Sequence, residues 1–159
     1  MAGLEKLSFA FKTATTFTLD ELRQRAGEDS LANLHQTTLN YYEAYLQAQA
    51  AGQKFIALHP VEKDVRELDD CERLGRHKLM GIVHLETDLT QAHALREKYG
   101  QITTAGLLTR AFILRENIVE AQEHGWQIAV WDTTKADIAV FPDTRPESQR
   151  HAAAHPCYN

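Results

Sequence analysis

Residues 81–125 read GIVHLETDLTQAHALREKYGQITTAGLLTRAFILRENIVEAQEHG, and this stretch decides the fold. Around its start, Leu79, Val83 and Leu85 keep the spacing expected for one face of a half-buried strand. Gly100 is suited to end a short helix, and Thr103 to cap a longer one. Apolar residues then recur at spacings of three and four, which predicts one continuous helical stripe: Leu107, Ala111, Leu114, Ile118 and Ala121.

The same pattern occurs 73 residues earlier in the chain. Residues 7–52 read LSFAFKTATTFTLDELRQRAGEDSLANLHQTTLNYYEAYLQAQAAG, with Ser30 as the predicted cap of the longer helix. Aligning positions 18–58 with this offset gives 9 identities in 41 positions. Those in the first copy are Leu22, Arg23, Gly27, Ala32, Leu34, Glu43, Ala48, Gln49 and Gly52. We therefore predict an internal repeat.

Each long helix is followed by a glycine and then by an apolar run. The runs KFIAL (54–58) and WQIAVW (126–131) predict strands. The second run is expected to turn at residues 132–135 and to return as ADIAVF (136–141). The chain should therefore contain two strand-helix-helix-strand units and a C-terminal β-hairpin.

Between the copies, apolar residues keep helical spacing from Val61 to Leu74 after Pro60, among many acidic residues. We predict an acidic connector helix over 61–76, between repeat 1 (about 6–60) and repeat 2 (about 77–141). Residues 1–141 then form a single α+β domain. Three prolines and weak apolar periodicity predict a flexible tail over 142–159.

Composition excludes several classes of protein. A net charge of -5 and a pI near 5.9 exclude a broadly basic surface. We find neither an apolar stretch long enough to cross a membrane nor a secretory leader, so we expect a soluble cytoplasmic protein without a membrane partner. Two cysteines, Cys71 and Cys157, are too few for a disulfide scaffold.

Catalytic and metal-binding signals are weak. The sequence has no nucleophile motif, phosphate loop or paired cysteine motif, so we expect neither an enzyme nor a cofactor. Cys71 lies on the apolar stripe of the connector and is interpreted as a small buried residue. His151, His155 and Cys157 have ligand-like spacing, but Pro156 disfavours a helix there. We predict no metal site, although metal binding by these three residues stays open.

The order of strand, short helix, glycine turn and long capped helix in residues 81–125 resembles a ribbon-helix-helix unit. Such units occur in small bacterial and plasmid DNA-binding repressors. Residues 7–52 are a looser match, and GWQIAVWDTTKADI (125–138) resembles the strand pair that follows the helices in some relatives. In that family two strands pair antiparallel in the major groove. A tandem copy implies that one chain supplies both strands and folds as a pseudo-dimer.

The resemblance implies a DNA-binding function in transcription regulation, as a repressor or a plasmid-type regulator. Alternation along the two strands assigns Ser8, Lys12, Lys78 and His84 to the outer face of the ribbon. The amino-terminal ends of the long helices, near Ser30 and Thr103, would offer backbone N–H groups to phosphates.

Some features favour an alternative function. The outer face lacks the Arg, Asn and Gln side chains that read bases bidentately, and Glu86 would repel phosphate. The alternative is a non-enzymatic protein-interaction module that has lost DNA binding and binds a protein partner or another copy of itself. Tyr41, Tyr42 and Tyr45 either belong to such an interface or pack in the core.

Overall fold

A computed structural model describes residues 5–10, 19–71, 82–100 and 103–149. The chain has an α+β fold, as predicted. Its elements are β1 (Glu5–Ala10), α1 (Leu19–Ala26), α2 (Leu31–Ala50), β2 (Lys54–Leu58), β3 (Val65–Glu67), β4 (Ile82–Thr87), α3 (Thr90–Tyr99), α4 (Thr104–Glu123), β5 (Gln127–Asp132) and β6 (Asp137–Phe141).

The strands form two separate antiparallel sheets. Strands β1 and β4 pair as a two-stranded sheet, which we call the ribbon. The other sheet has four strands in the order β3-β2-β5-β6. Helices α2 and α4 contact each other, and each contacts the strand that follows it, while α4 also contacts β1. The helices therefore lie between the ribbon and the four-stranded sheet.

Elements recur in the structure with an offset of 73 residues. Helices α2 and α4 are both 20 residues long. Ile56 pairs with Glu67 in the first hairpin, and Ala129 pairs with Val140 in the second, 73 residues later. Ile56 also pairs with Ala129 across the centre of the sheet. We call the elements from β1 to β3 unit 1 and those from β4 to β6 unit 2.

Both long helices begin at the predicted caps. The Asn33 backbone N–H donates to Ser30 Oγ at 3.1 Å, and the Gly106 N–H donates to Thr103 Oγ1 at 2.9 Å. Each cap residue has an extended backbone and supplies an acceptor for an N–H that the helix itself leaves unbonded. These two predictions are confirmed.

The main core lies between the helices and the inner face of the four-stranded sheet. Phe55, Ala57 and Ile128 from the sheet are buried with the apolar stripes of α2 and α4. Leu114 and Ile118 on α4 are fully buried. Each such aliphatic side chain contributes about 1.5–3 kcal/mol relative to an exposed one.

The predicted connector helix over 61–76 is wrong for residues 61–71, and residues 72–76 lie outside the described part. Residues 60–64 instead form a turn that leads into β3. The His59 N–H donates to the Asp64 carbonyl at 2.8 Å, and Lys63 has a left-handed φ of 63°. Pairing with β3 satisfies the backbone groups on the free edge of β2, which local spacing cannot reveal.

Two residues of the predicted apolar stripe are exposed as a consequence. Val61 is 67% exposed in the turn, and Val65 is 41% exposed on β3. Cys71 is exposed, so its interpretation as a buried residue is also wrong. Leu68 is buried, but it follows an edge strand rather than lying on a helix.

The predicted C-terminal hairpin is confirmed as β5 and β6. Asp132 Oδ1 accepts hydrogen bonds from the backbone N–H groups of Thr134 and Lys135. Ala136 has a φ of 57°, the same left-handed region as Lys63 in the equivalent turn of unit 1. Both hairpins therefore turn in a similar way.

The first part of the predicted flexible tail is packed against the rest of the protein. Arg145 is 3% exposed, and its guanidinium donates to the Gln122 carbonyl at 3.1 Å and to Asp143 at 2.8 Å. The Gln149 amide donates to the carbonyls of Gln24 and Arg25. These bonds tie residues 142–149 to the ends of α1 and α4, whereas residues 150–159 lie outside the described part.

Gly27 and Gly100, at equivalent positions, test this packing as a matched pair. Both have φ near 70°, so alanine at either position costs about 1–2 kcal/mol from backbone strain. At Gly27 the new Cβ would also collide with the Pro146 ring, whereas at Gly100 it meets no described atom within 4 Å. We expect Gly27→Ala to cost about 1–3 kcal/mol more than Gly100→Ala in urea unfolding. Equal costs would show that residues 142–149 do not pack there.

Candidate nucleic-acid interface

The ribbon joins two strands that are far apart in the sequence. Its register pairs Leu7 with Leu85 and Ser8 with His84. Because successive strand residues point to opposite faces, Ser8 and His84 lie on one face of the ribbon and Leu7 and Leu85 on the other. The register therefore brings two of the predicted DNA-binding positions directly opposite each other.

The other predicted site residues have different outcomes. Lys12 and Lys78 lie outside the described residues. Ser30 and Thr103 are the caps of α2 and α4, at equivalent positions in the two units. The structure therefore describes four of the six predicted residues, as one opposed pair on the ribbon and two helix caps.

Lys6 is a position on the same face that sequence reasoning missed. It pairs with Glu86, and both positions share the face of Ser8 and His84. Extending the alternation one step back from Ser8 would have found it. Opposed Lys and Glu balance the formal charge at this end of the ribbon, so the pair adds no net attraction for phosphate.

The amino-terminal ends of α2 and α4 are the described sites with the most favourable backbone electrostatics for an anion. Backbone N–H groups in the first turn of a helix have no intrahelical acceptor, and the helix dipole places partial positive charge there. Near α2, the Glu28 carboxylate accepts a hydrogen bond from the Thr37 hydroxyl, which also accepts from Arg115 at 2.8 Å. Glu28 is thus part of an intramolecular chain that links α2 to α4.

Two arginines hold the helices in place. Arg25 on α1 donates to Glu116 at 2.6 Å and to Glu123 at 2.7 Å, both on α4. Burial alone would lower the pKa of Arg25, but the two carboxylates raise it above its ordinary value. Arg115 on α4 lies 4.8 Å from the ring centre of Tyr41 on α2. Both interactions join unit 1 to unit 2.

The tyrosines of α2 belong to the core. Tyr42 and Tyr45 are buried, and Tyr41 is partly buried against the same cluster. The Tyr42 hydroxyl donates to Asp70 at 2.8 Å, and burial raises the pKa of this phenol. Of the two interpretations left open by the sequence, the structure supports core packing.

His35 links the helices to the end of the ribbon. It is buried on α2, and burial lowers the pKa of its imidazole, while the negative charge of Asp88 partly opposes that shift. Asp88 immediately follows β4 and accepts hydrogen bonds from the backbone N–H and the hydroxyl of Thr90 at the start of α3. Sequence alone missed this contact because His35 and Asp88 are distant along the chain.

The described residues give little support to other kinds of site. They contain no group of three His, Cys, Asp or Glu residues that could hold a metal ion. The candidate ligands His151, His155 and Cys157 lie outside them. Among the described helices, none is both long and apolar enough to cross a membrane.

No protein-family model matches the chain, and neither a curated protein nor a solved structure is significantly similar to it. Function must therefore be inferred from the ribbon, the helices and their charges.

His35 predicts a pH dependence of stability. Its pKa in the folded protein lies below the ordinary value of 6.5, so between these values the unfolded chain binds more protons than the folded one. Stability should therefore fall as the pH drops from about 7 to about 5. The equivalent residue in unit 2 is Leu108, so His35→Leu is the matched variant. It should have a smaller pH slope in urea unfolding, and an unchanged slope would contradict this role for His35.

Proposed function

We propose that this protein is a DNA-binding regulator that reads DNA through the ribbon, as a tandem ribbon-helix-helix pseudo-dimer. The observation that carries the proposal is the antiparallel pairing of β1 with β4, each followed by a short helix and a long capped helix. A small bacterial repressor or plasmid-type regulator, acting in the cytoplasm, is the functional class that fits best.

The dimensions of the ribbon suit the major groove. Two strands lie about 4.8 Å apart, and the major groove, about 12 Å wide, admits a two-stranded ribbon. Ser8 and His84 lie at the middle of one face, where base edges would be read. The opposite face, which includes positions Leu7 and Leu85, would then be turned toward the helices.

Phosphate contacts would come from the ribbon's flanks and from helix ends. Ala10 pairs with Ile82, so the chain segments carrying Lys12 and Lys78 are joined to the same end of the ribbon. The amino-terminal ends of α2 and α4 add backbone donors for phosphate oxygens. With a net charge of -5, attraction to DNA must be local and should weaken steeply with salt.

The alternative function remains a non-enzymatic protein-interaction module. It is favoured by exposed Val65, Ile138 and Val140 on the four-stranded sheet. Under this alternative the ribbon has only a structural role, and the protein should show no salt-dependent retention of DNA.

Removal of the two flanking lysines tests the DNA-binding proposal. We expect the Lys12→Gln, Lys78→Gln variant to bind its selected DNA at least about tenfold more weakly, with the salt slope reduced by about 2. The measurement is a titration at several salt concentrations, with the DNA first selected from mixed genomic fragments.

The matched control is Lys63→Gln, Lys135→Gln, which removes two exposed lysines from the hairpin turns. It has the same net charge as the test variant, so the overall attraction to DNA is equal. The control should bind like the original protein. Equal losses in both variants would show that net charge, rather than the ribbon, decides binding, and no DNA retention at low salt would refute the proposal.

A further inference from the structure

The four-stranded sheet has a face turned away from the helices, which we call the outer sheet face. Its apolar residues come from all four strands: Val65, Ile56, Leu58, Trp131, Ile138 and Val140. Ile56 and Leu58 are buried at its centre beside Trp131, whereas Val65, Ile138 and Val140 are 41%, 43% and 47% exposed. The face thus has a closed centre and an exposed apolar rim.

We propose that the outer sheet face binds a second copy of this chain. The face is built from two equivalent halves that meet at the Ile56–Ala129 pair, because the hairpin of unit 1 and the hairpin of unit 2 have the same register. A partner that contacts both halves alike must have matching two-fold symmetry. A second copy carries the same surface with the same symmetry, and its sheet has the same twist, so the two can pack face to face.

The charge of the face is compatible with self-association. Its described charged residues are Lys54 and Glu67, which form an ion pair at 3.4 Å and leave the face with no net charge. The whole chain has a net charge of -5, so two copies repel each other least where their neutral faces meet. The absence of surplus positive charge on this face also makes it unsuitable for nucleic acid.

The size of the face indicates a weak dimer. Four strands about 4.8 Å apart and five residues at about 3.4 Å each give a footprint of roughly 320 Å². A standard specific interface buries about 800 Å² per partner. We therefore expect a dimer that dissociates on dilution, with a Kd in the micromolar to millimolar range.

The position of the face has a consequence for DNA, which rests on the proposed function. The helices lie between the ribbon and the four-stranded sheet, so a dimer formed through the outer sheet faces carries its two ribbons at opposite ends. Such a dimer would bridge two DNA segments rather than occupy two adjacent sites on one.

Sedimentation equilibrium of the full chain without DNA tests the proposal. The original protein should show a monomer–dimer equilibrium, and Val140→Lys should weaken it at least about tenfold, because a charge would be buried without a partner. Val61→Lys is the matched control: it places the same charge on an exposed valine in the β2–β3 turn, outside the face, and should leave the equilibrium unchanged.

Ile138→Lys provides a second test on the same rim if Val140→Lys fails to fold. A chain that stays monomeric at millimolar concentration would overturn the proposal, as would a dimer that both rim variants leave intact. Because no DNA is present, neither result bears on whether the ribbon binds DNA.

Discussion

Strands β2 and β5 come from different units, and the hydrogen bonding between them is the contact on which the rest of the fold depends. Ile56 lies opposite Ala129, so the two units meet at equivalent residues. Each strand follows its long helix after a short glycine turn, so joining the strands also brings α2 against α4. The helices in turn support the ribbon through the contact between α4 and β1. One symmetric strand pair therefore orients the helices and the ribbon together.

Local patterns in the sequence predicted the elements that depend on nearby residues. The caps Ser30 and Thr103, the long helices and the β5–β6 hairpin follow from spacings of a few residues, and the structure contains all of them. The connector was mistaken because strand pairing along the edge of β2 competes with helical spacing, and that pairing is a tertiary effect. Residues 142–149 were mistaken because Arg145 is buried by a carbonyl at the end of α4, distant in sequence.

The candidate site was predictable to a similar extent. Alternation placed Ser8 and His84 on one face, and the backbone register sets them opposite each other. Their pairing could not follow from either strand alone, and it entered through the resemblance to a tandem family. The His35–Asp88 contact and the Arg25 bridge depend on which helices meet, so no local pattern contains them. They also distinguish the two units, since the equivalents of His35 and Arg25 are Leu108 and Lys98.

The central claim is that one chain supplies both strands of the ribbon in this register. An engineered disulfide tests it: Ser8→Cys with His84→Cys, in a chain whose Cys71 and Cys157 are replaced by serine. Directly opposed strand residues have Cα atoms about 4.5–5.5 Å apart, which falls within the range for a disulfide. The account predicts rapid oxidation to a cross-linked monomer on a non-reducing gel. Cross-linking between two chains, or failure to cross-link while the protein remains folded, would contradict it.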